Sequence, residues 1–231
     1  GIYIPYSKKV ALSLCVFKKN VTMDGSGIKL VMKPEETFII ESCKFIHNFA
    51  SSTASVSITQ SGKMECKNSH FFNNLSARYG SVFYITGVVY ISFQFCKAAH
   101  NEAIVGGCMF IDNFRVLYVA ICSFVNNVAR NNGVVICTRN SPWGAFTVTS
   151  SKFLNNSAGI TTGAINIHTI YEFVSHYNQF VENEAGTQGG SATIISSRQV
   201  IQQCTCTANK ATKGGTFSTD LVSKFAISLS I

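Results

Sequence analysis

The hexapeptide "CSFVNN" at residues 122–127 decides the fold, because variants of it recur along the whole chain. Each copy has a small residue first, usually a phenylalanine third and an asparagine last. The closing asparagine occurs eight times, at Asn20, Asn48, Asn74, Asn101, Asn127, Asn156, Asn183 and Asn209. Successive copies lie 26 to 29 residues apart. Internal repetition at a fixed period of this length indicates a repeat architecture, in which each repeat packs against its neighbours.

Two apolar segments separate one copy from the next. Six or seven residues after the asparagine, a small residue, usually glycine, begins a stretch such as "GGCMFI", "GAINI" or "GGSATI". A further apolar segment, for example "FRVLYVAI", precedes the next hexapeptide. β-Branched and aromatic residues in alternation are typical of strands. The pattern therefore predicts that each repeat forms about three short strands joined by turns.

The length of the repeat narrows the architecture. A period near 27 residues without an LxxLxL pattern does not fit a leucine-rich repeat, and a propeller blade needs about 40 residues. We predict an all-β fold, a single-stranded right-handed parallel β-helix of about eight coils, which forms one domain over residues 1–231. The chain has no initiator methionine and ends in the apolar stretch "FAISLSI". We interpret it as a segment of a longer polypeptide.

Equivalent residues of successive coils lie directly above one another in such a fold. Strand alternation places the first and third residues of the hexapeptide inside the coil. The third position predicts an internal aromatic stack, formed by Phe17, Phe45, Phe71, Phe124, Phe153 and Phe180. The closing asparagines predict a ladder in which side-chain amides bond along the rod axis.

The phrases "FVNN", "FLNN" and "FIHN", together with "GGCMFI" and "TGAINI", resemble the FxxN and GGA[IV] repeats of polymorphic outer membrane proteins. That family includes chlamydial autotransporter adhesins. The resemblance covers nearly the whole chain, although Ala98 and Cys206 replace phenylalanine and "SSTASV" replaces the glycine motif. It implies a surface or extracellular protein that acts in adhesion or structural assembly.

Charge and hydropathy limit the partners. The formal net charge is +8, but only 13% of the residues are charged and no Lys/Arg block occurs. Nucleic-acid binding normally uses a concentrated basic patch, so we predict no nucleic-acid partner. The apolar stretch 79–96 is interrupted by glycine and polar residues, which argues against a transmembrane helix. We expect other protein chains or glycans at the sides or ends of the rod, including further copies of this chain.

Candidate catalytic and metal-binding residues are too widely spaced for one site. Glycoside hydrolysis needs two carboxylates about 5–9.5 Å apart. Asp112 and Asp220 share a column but lie four coils apart, roughly 19 Å at the spacing of paired strands. His47 and His100 lie two coils apart, too far to share a metal ion. We predict a non-catalytic protein without cofactor or metal; the alternative is a carbohydrate-active β-helix that binds or cleaves a glycan.

Most of the nine cysteines fall in interior columns, where thiols act as small hydrophobic groups. Two vertically adjacent pairs have Cα atoms within disulfide range, about 4.8 Å. These candidate disulfides are Cys15 with Cys43 and Cys96 with Cys122.

Glycosylation sequons occur at Asn20, Asn74 and Asn155. The first two belong to the interior asparagine column, which a glycan cannot enter. Asn155 precedes that column by one residue and should face outward. It is therefore the candidate glycosylation site.

Two surface features are candidates for partner contact. Lysine recurs at the outward position between the cysteine and phenylalanine columns, at Lys44, Lys97 and Lys152. This stripe could attract an anionic partner, or it could simply keep a charge-poor rod soluble. The only tryptophan, Trp143, lies with Arg139 in the stretch "TRNSPWGAF" of the longest repeat. Such an insertion could form a contact site or fold back onto the rod.

Overall fold

A computed structural model describes residues 2–5, 9–23, 25–220 and 224–229 of the chain. Every regular element in these residues is a β-strand, and each strand pairs in parallel with equivalent strands of the neighbouring coils. The chain forms about eight turns of about 27 residues each. The predicted all-β parallel solenoid is thus confirmed, whereas its right-handed winding stays a prediction.

The described strands form four rows along the rod. The first row follows the glycine corner and contains β1 (Ile2–Pro5), β5 (Ile28–Val31), β15 (Met109–Asp112), β19 (Ile136–Arg139) and β27 (Phe217–Asp220). The second row precedes the hexapeptide and contains β2 (Lys9–Ser13), β6 (Thr37–Glu41), β16 (Val116–Ala120), β20 (Ser141–Thr149) and β28 (Lys224–Leu229). Four long strands contribute to both rows: β9 (Val56–Lys67), β12 (Phe83–Gln94), β23 (Ile165–His176) and β26 (Ala192–Thr207).

The third row is the hexapeptide itself. It contains β3 (Val16–Lys18), β7 (Lys44–Ile46), β10 (His70–Phe72), β13 (Lys97–Ala99), β17 (Ser123–Val125), β21 (Lys152–Leu154), β24 (Gln179–Val181) and the end of β26. The fourth row follows the asparagine and contains β4 (Val21–Thr22), β8 (Phe49–Ala50), β11 (Leu75–Ser76), β14 (Glu102–Val105), β18 (Val128–Asn132), β22 (Ser157–Ala158) and β25 (Glu184–Ala185).

A described coil therefore has up to four strand segments, where the sequence predicted about three. The additional fourth-row strands are mostly two residues long, which is too short for an alternating pattern to be visible. They are held by pairing with the coils above and below rather than by their own propensity.

Corners with left-handed backbone flank the hexapeptide strand. The residue before each ladder asparagine has φ between 51° and 55°, at Lys19, His47, Asn73, His100, Asn126, Asn155, Glu182 and Ala208. A second corner precedes the cysteine column and includes Phe95, Ile121 and Tyr177. The left-handed residue is thus the one that precedes the ladder asparagine, not the asparagine itself. The corner turns the chain so that the asparagine side chain enters the coil.

The phenylalanine column forms two runs of stacked rings. Phe17, Phe45 and Phe71 stack with centroids 4.7 and 5.2 Å apart, and the second run from Phe124 to Phe180 has spacings of 5.1 and 4.9 Å. All six rings are buried. Between the runs lies Ala98, the smallest residue of the column. The interior of the rod is therefore packed with side chains and does not form an open channel here.

Candidate contact surfaces of the rod

The asparagine ladder runs without a break through its eight residues. From Asn20 to Asn183, each side-chain Nδ2 donates to the Oδ1 of the next rung over 2.9–3.0 Å. From Asn48 onward, each Nδ2 also donates to a backbone carbonyl of the phenylalanine column, one coil earlier. From Asn48 onward, each Oδ1 accepts a second bond from the backbone N–H of the preceding rung. An interior amide thus has both donors and both acceptor positions occupied, so this column holds the rod together.

All nine cysteines are free thiols in the structure, so the candidate bonds Cys15–Cys43 and Cys96–Cys122 are not formed. Each of these side chains instead points at backbone carbonyls. The Cys43 Sγ lies 3.3 Å from the Glu41 carbonyl oxygen, and the Cys122 Sγ lies 3.3 Å from that of Ala120. Stacked residues of a parallel ladder project their Cβ atoms in the same direction, which is unfavourable for disulfide closure.

Burial is expected to lower the reactivity of most of these thiols. Seven of the nine are buried, and Cys15 and Cys206 are half-buried. Burial raises the pKa of Cys66 and Cys108, raises that of Cys137 to about 11 and raises that of Cys206 to about 12. Because the thiolate is the nucleophile, raised pKa values slow alkylation.

We expect iodoacetamide at neutral pH to modify the folded protein first at Cys15, whose sulfur is accessible to solvent. The buried thiols should react only after unfolding. Peptide mass spectrometry checks both points. In denaturant without reductant, nine adducts per chain are expected. Each disulfide would lower this number by two, so a count of seven or fewer would contradict the free-thiol state.

The predicted glycosylation site, Asn155, is exposed and has a left-handed backbone conformation. Its Nδ2 donates to the Asn126 Oδ1 over 2.7 Å, a contact that a glycan would replace. Asn74 is buried and Asn20 half-buried in the ladder. Attachment of a glycan at Asn155 stays a prediction.

The outward position of the third row aligns the predicted lysines. The strand register places Lys44, His70, Lys97, Ser123 and Lys152 on consecutive coils. Burial, with Lys97 and Lys44 on either side, lowers the pKa of His70, so this imidazole is neutral at physiological pH. A shallow cavity of about 260 Å³ lies between Lys97 and Lys152. Recruitment of an anion by this row stays a prediction.

Trp143 lies in a bulge of strand β20. Ser141 pairs with Ile170 and Ala145 with Glu172, so three residues oppose Tyr171 alone. The Ser141 hydroxyl accepts from the Phe114 N–H over 3.1 Å and donates to the Arg139 carbonyl over 2.9 Å, which fixes the start of the bulge. A bulge re-aims the side chain that it carries. The Trp143 side chain here is 76% exposed.

A cleft opens beside this bulge. One cavity of about 260 Å³ is lined by Val89, Asn113, Arg115 and Trp143, among others, and a second of about 470 Å³ lies between Arg115, Trp143 and Tyr171. The backbone of Arg115 is bonded to Val89 on one side and to Ala145 on the other. Arg115, Trp143 and Tyr171 thus come from three consecutive coils. We call this surface the aromatic cleft.

Arg139, predicted to share a contact site with Trp143, lines neither cavity. Arg139 ends strand β19, just before the left-handed corner at Asn140. Its guanidinium is 5.6 Å from the centroid of the Phe110 ring. Arg115 lines both cavities together with Trp143. Sequence reasoning missed Arg115, although aligning "FRVLYVAI" with "PWGAFTVTS" would have placed it beside the insertion.

Several carboxylates are engaged in ion pairs. Pairs between described residues include Glu65 with Lys63 (3.3 Å) and Lys67 (3.7 Å), Glu102 with Arg130 (2.9 Å), and Glu172 with Arg198 (3.0 Å). Across the same residues, no group of three or more His, Cys, Asp and Glu side chains gathers where it could hold a metal ion. None of the described elements is a helix long and apolar enough to cross a membrane.

Comparison with protein-family models, with curated proteins and with solved structures found no match. The chain is therefore described by its architecture, a parallel β-solenoid with an asparagine ladder. Its likeness to polymorphic outer membrane proteins stays a resemblance of short motifs.

Proposed function

We propose that the chain is a non-catalytic rod of the cell surface or extracellular space that acts in adhesion or structural assembly. The asparagine ladder is the observation that carries this proposal. Its interior amides bond to one another and to the backbone, so partner recognition falls to the outward rows. Solenoids characteristically use such extended surfaces for binding.

The outward rows suit a long or repetitive partner. Equivalent side chains of neighbouring coils repeat at about 4.8 Å along the flank. The net charge of +8 favours an anionic partner, and the row containing Lys44, Lys97 and Lys152 supplies spaced positive charges on one flank. Other protein chains and further copies of the rod remain part of the proposal.

The repeat motifs support a surface location within this proposal. Their resemblance to polymorphic outer membrane proteins connects the chain to autotransporter adhesins. On that basis we place it in the adhesin class, with the rod as the element that displays contact surfaces.

A carbohydrate-active β-helix is the second candidate function, and the aromatic cleft is the observation that favours it. Cleavage of a glycoside requires two carboxylates placed about the scissile bond. Glu172, next to Tyr171 in sequence, forms an ion pair with Arg198 over 3.0 Å. This pairing favours glycan binding over cleavage at the cleft.

Retention without turnover is the expected result when the protein is tested against a panel of acidic and neutral polysaccharides. Affinity electrophoresis measures retention, and reducing ends together with absorbance of unsaturated uronates measure cleavage. Heat-denatured protein serves as the control. Product formation by the folded protein would replace the rod proposal with the carbohydrate-active one. The rod proposal would also be overturned if the protein bound no glycan, did not self-associate and did not bind to cell surfaces.

A further inference from the structure

We infer that the aromatic cleft of Arg115, Trp143 and Tyr171 binds an acidic glycan whose chain runs along the rod axis. This inference deepens the proposed adhesive function, on which it rests, by naming a site and a ligand class. Three features carry it: two exposed aromatic rings, an arginine without a carboxylate partner, and their placement on successive coils.

Two exposed aromatic side chains lie on the flank of the rod. Trp143 is 76% exposed and Tyr171 is 50% exposed, and both line the same cavity. Trp143 reaches this position only because the bulge interrupts the pairing of β20 with β23. Aromatic faces are apolar with a negative quadrupole. They therefore stack well against the C–H faces of pyranose rings.

Arg115 supplies the charge recognition. In the described residues Arg130 and Arg198 pair with Glu102 and Glu172, and Arg139 lies over Phe110. No carboxylate there pairs with the exposed Arg115 or with the exposed Arg78, and of these two only Arg115 lines the cleft. A guanidinium binds a carboxylate through two parallel hydrogen bonds, which gives both strength and orientation. The neighbouring Asn113 amide adds donors and an acceptor for sugar hydroxyls.

The spacing suits a chain of sugars better than a nucleic acid. The three residues span two coil steps, roughly 10 Å at the spacing of paired strands, which is comparable to two consecutive sugar rings. Nucleic acids gain most of their affinity from several phosphate contacts. Arg115 is the one cation among the described residues that line the cleft. A single cation beside two rings fits a ligand with spaced carboxylates, such as a polyuronate.

Trp143 is the only tryptophan of the chain, so its fluorescence reports on this site alone. We expect oligogalacturonate to shift the Trp143 emission to shorter wavelength and to reduce quenching by acrylamide. The fully methyl-esterified oligomer, which lacks the charge, should bind at least about tenfold more weakly because it cannot pair with Arg115. Acidic oligosaccharides of other linkages, such as hyaluronan fragments, complete the set of probes.

Matched variants locate the binding. Arg115→Ala and Tyr171→Ala should each weaken oligogalacturonate binding by about tenfold or more, with Arg115→Lys intermediate. Because Trp143→Ala removes the fluorescent reporter, its affinity for oligogalacturonate is measured by calorimetry. Tyr177→Ala is the control, because this exposed tyrosine lies on the corner before the hexapeptide strand and lines neither cavity. Circular dichroism of each variant verifies that the solenoid is intact.

The possible failures are distinguishable. Equal affinity for the esterified oligomer overturns acid recognition, and a stronger response to single-stranded oligonucleotides assigns the cleft to nucleic acid. An unchanged Trp143 signal with every acidic probe overturns the site, even if retention elsewhere on the rod keeps the adhesive function. Cleavage of a probe that also shifts the Trp143 emission preserves the site and overturns the non-catalytic function.

Discussion

Replacing Asn127 by alanine is expected to lower the free energy of unfolding by about 3–5 kcal/mol, because it leaves buried polar groups without partners. The Asn127 side chain is fully buried. Its Nδ2 donates to the Asn156 Oδ1 (3.0 Å) and to the Ala98 carbonyl (3.1 Å). Its Oδ1 accepts from the Asn101 Nδ2 (3.0 Å) and backbone N–H (3.1 Å). Alanine has no polar side-chain atom, so all four hydrogen bonds are lost and their buried partners stay unpaired.

Urea unfolding followed by circular dichroism measures this loss. Asn131→Ala is the matched control, because Asn131 lies on the same coil with an exposed side chain. We expect it to change stability by no more than about 0.5 kcal/mol. Asn127→Asp extends the test, since a carboxylate keeps the acceptors, loses both donors and buries a charge. Equal effects of Asn127→Ala and Asn131→Ala would show that the ladder contributes little to stability.

The repeat could be read from the sequence because stacking imposes the same demand on every coil. Asn127 has to bond to the equivalent asparagines above and below it, and Phe124 has to pack against an equivalent ring. Such columns leave a constant spacing in the sequence, which is sufficient to predict the parallel coil. The period therefore predicted the fold, the ladder and the aromatic stack.

Features that depend on one coil alone were not visible in this way. The left-handed corner is occupied by residues as different as His100, Asn126 and Glu182, so composition gives no signal for it. The aromatic cleft depends on a bulge that changes the register of β20, which placed Trp143 beside Arg115 rather than Arg139. The thiols stayed unpaired because side-chain direction, not Cα spacing, decides whether a disulfide closes.

The second large effect is expected for Phe153→Ala, which should lower the free energy of unfolding by about 3–5 kcal/mol through loss of buried area and creation of a cavity. The Phe153 ring is fully buried between Phe124, at 5.1 Å and 17°, and Phe180, at 4.9 Å and 10°. Removing it ends two aromatic contacts, each worth about 0.5–1.5 kcal/mol beyond burial. Phe95→Ala is the control, since that ring is half exposed on a corner. Similar losses for Phe153→Ala and Phe95→Ala would contradict the role assigned to the stack.

Ala98→Phe tests the same stack from the opposite direction. If the column needed only one more ring, this change would join its two runs and stabilise the protein. In the structure, however, Phe71 packs edge-on against Phe83 at 5.0 Å, and Phe83 packs against Phe93 at 4.9 Å. Phe83 and Phe93 come from β12, a strand between Phe71 and Ala98 in sequence, and both are fully buried. A phenylalanine at position 98 should therefore overpack the interior and cost about 1–3 kcal/mol. The same unfolding measurement that detects a loss for Phe153→Ala should thus detect a loss for Ala98→Phe, because the interior is set by total volume and not by the column alone.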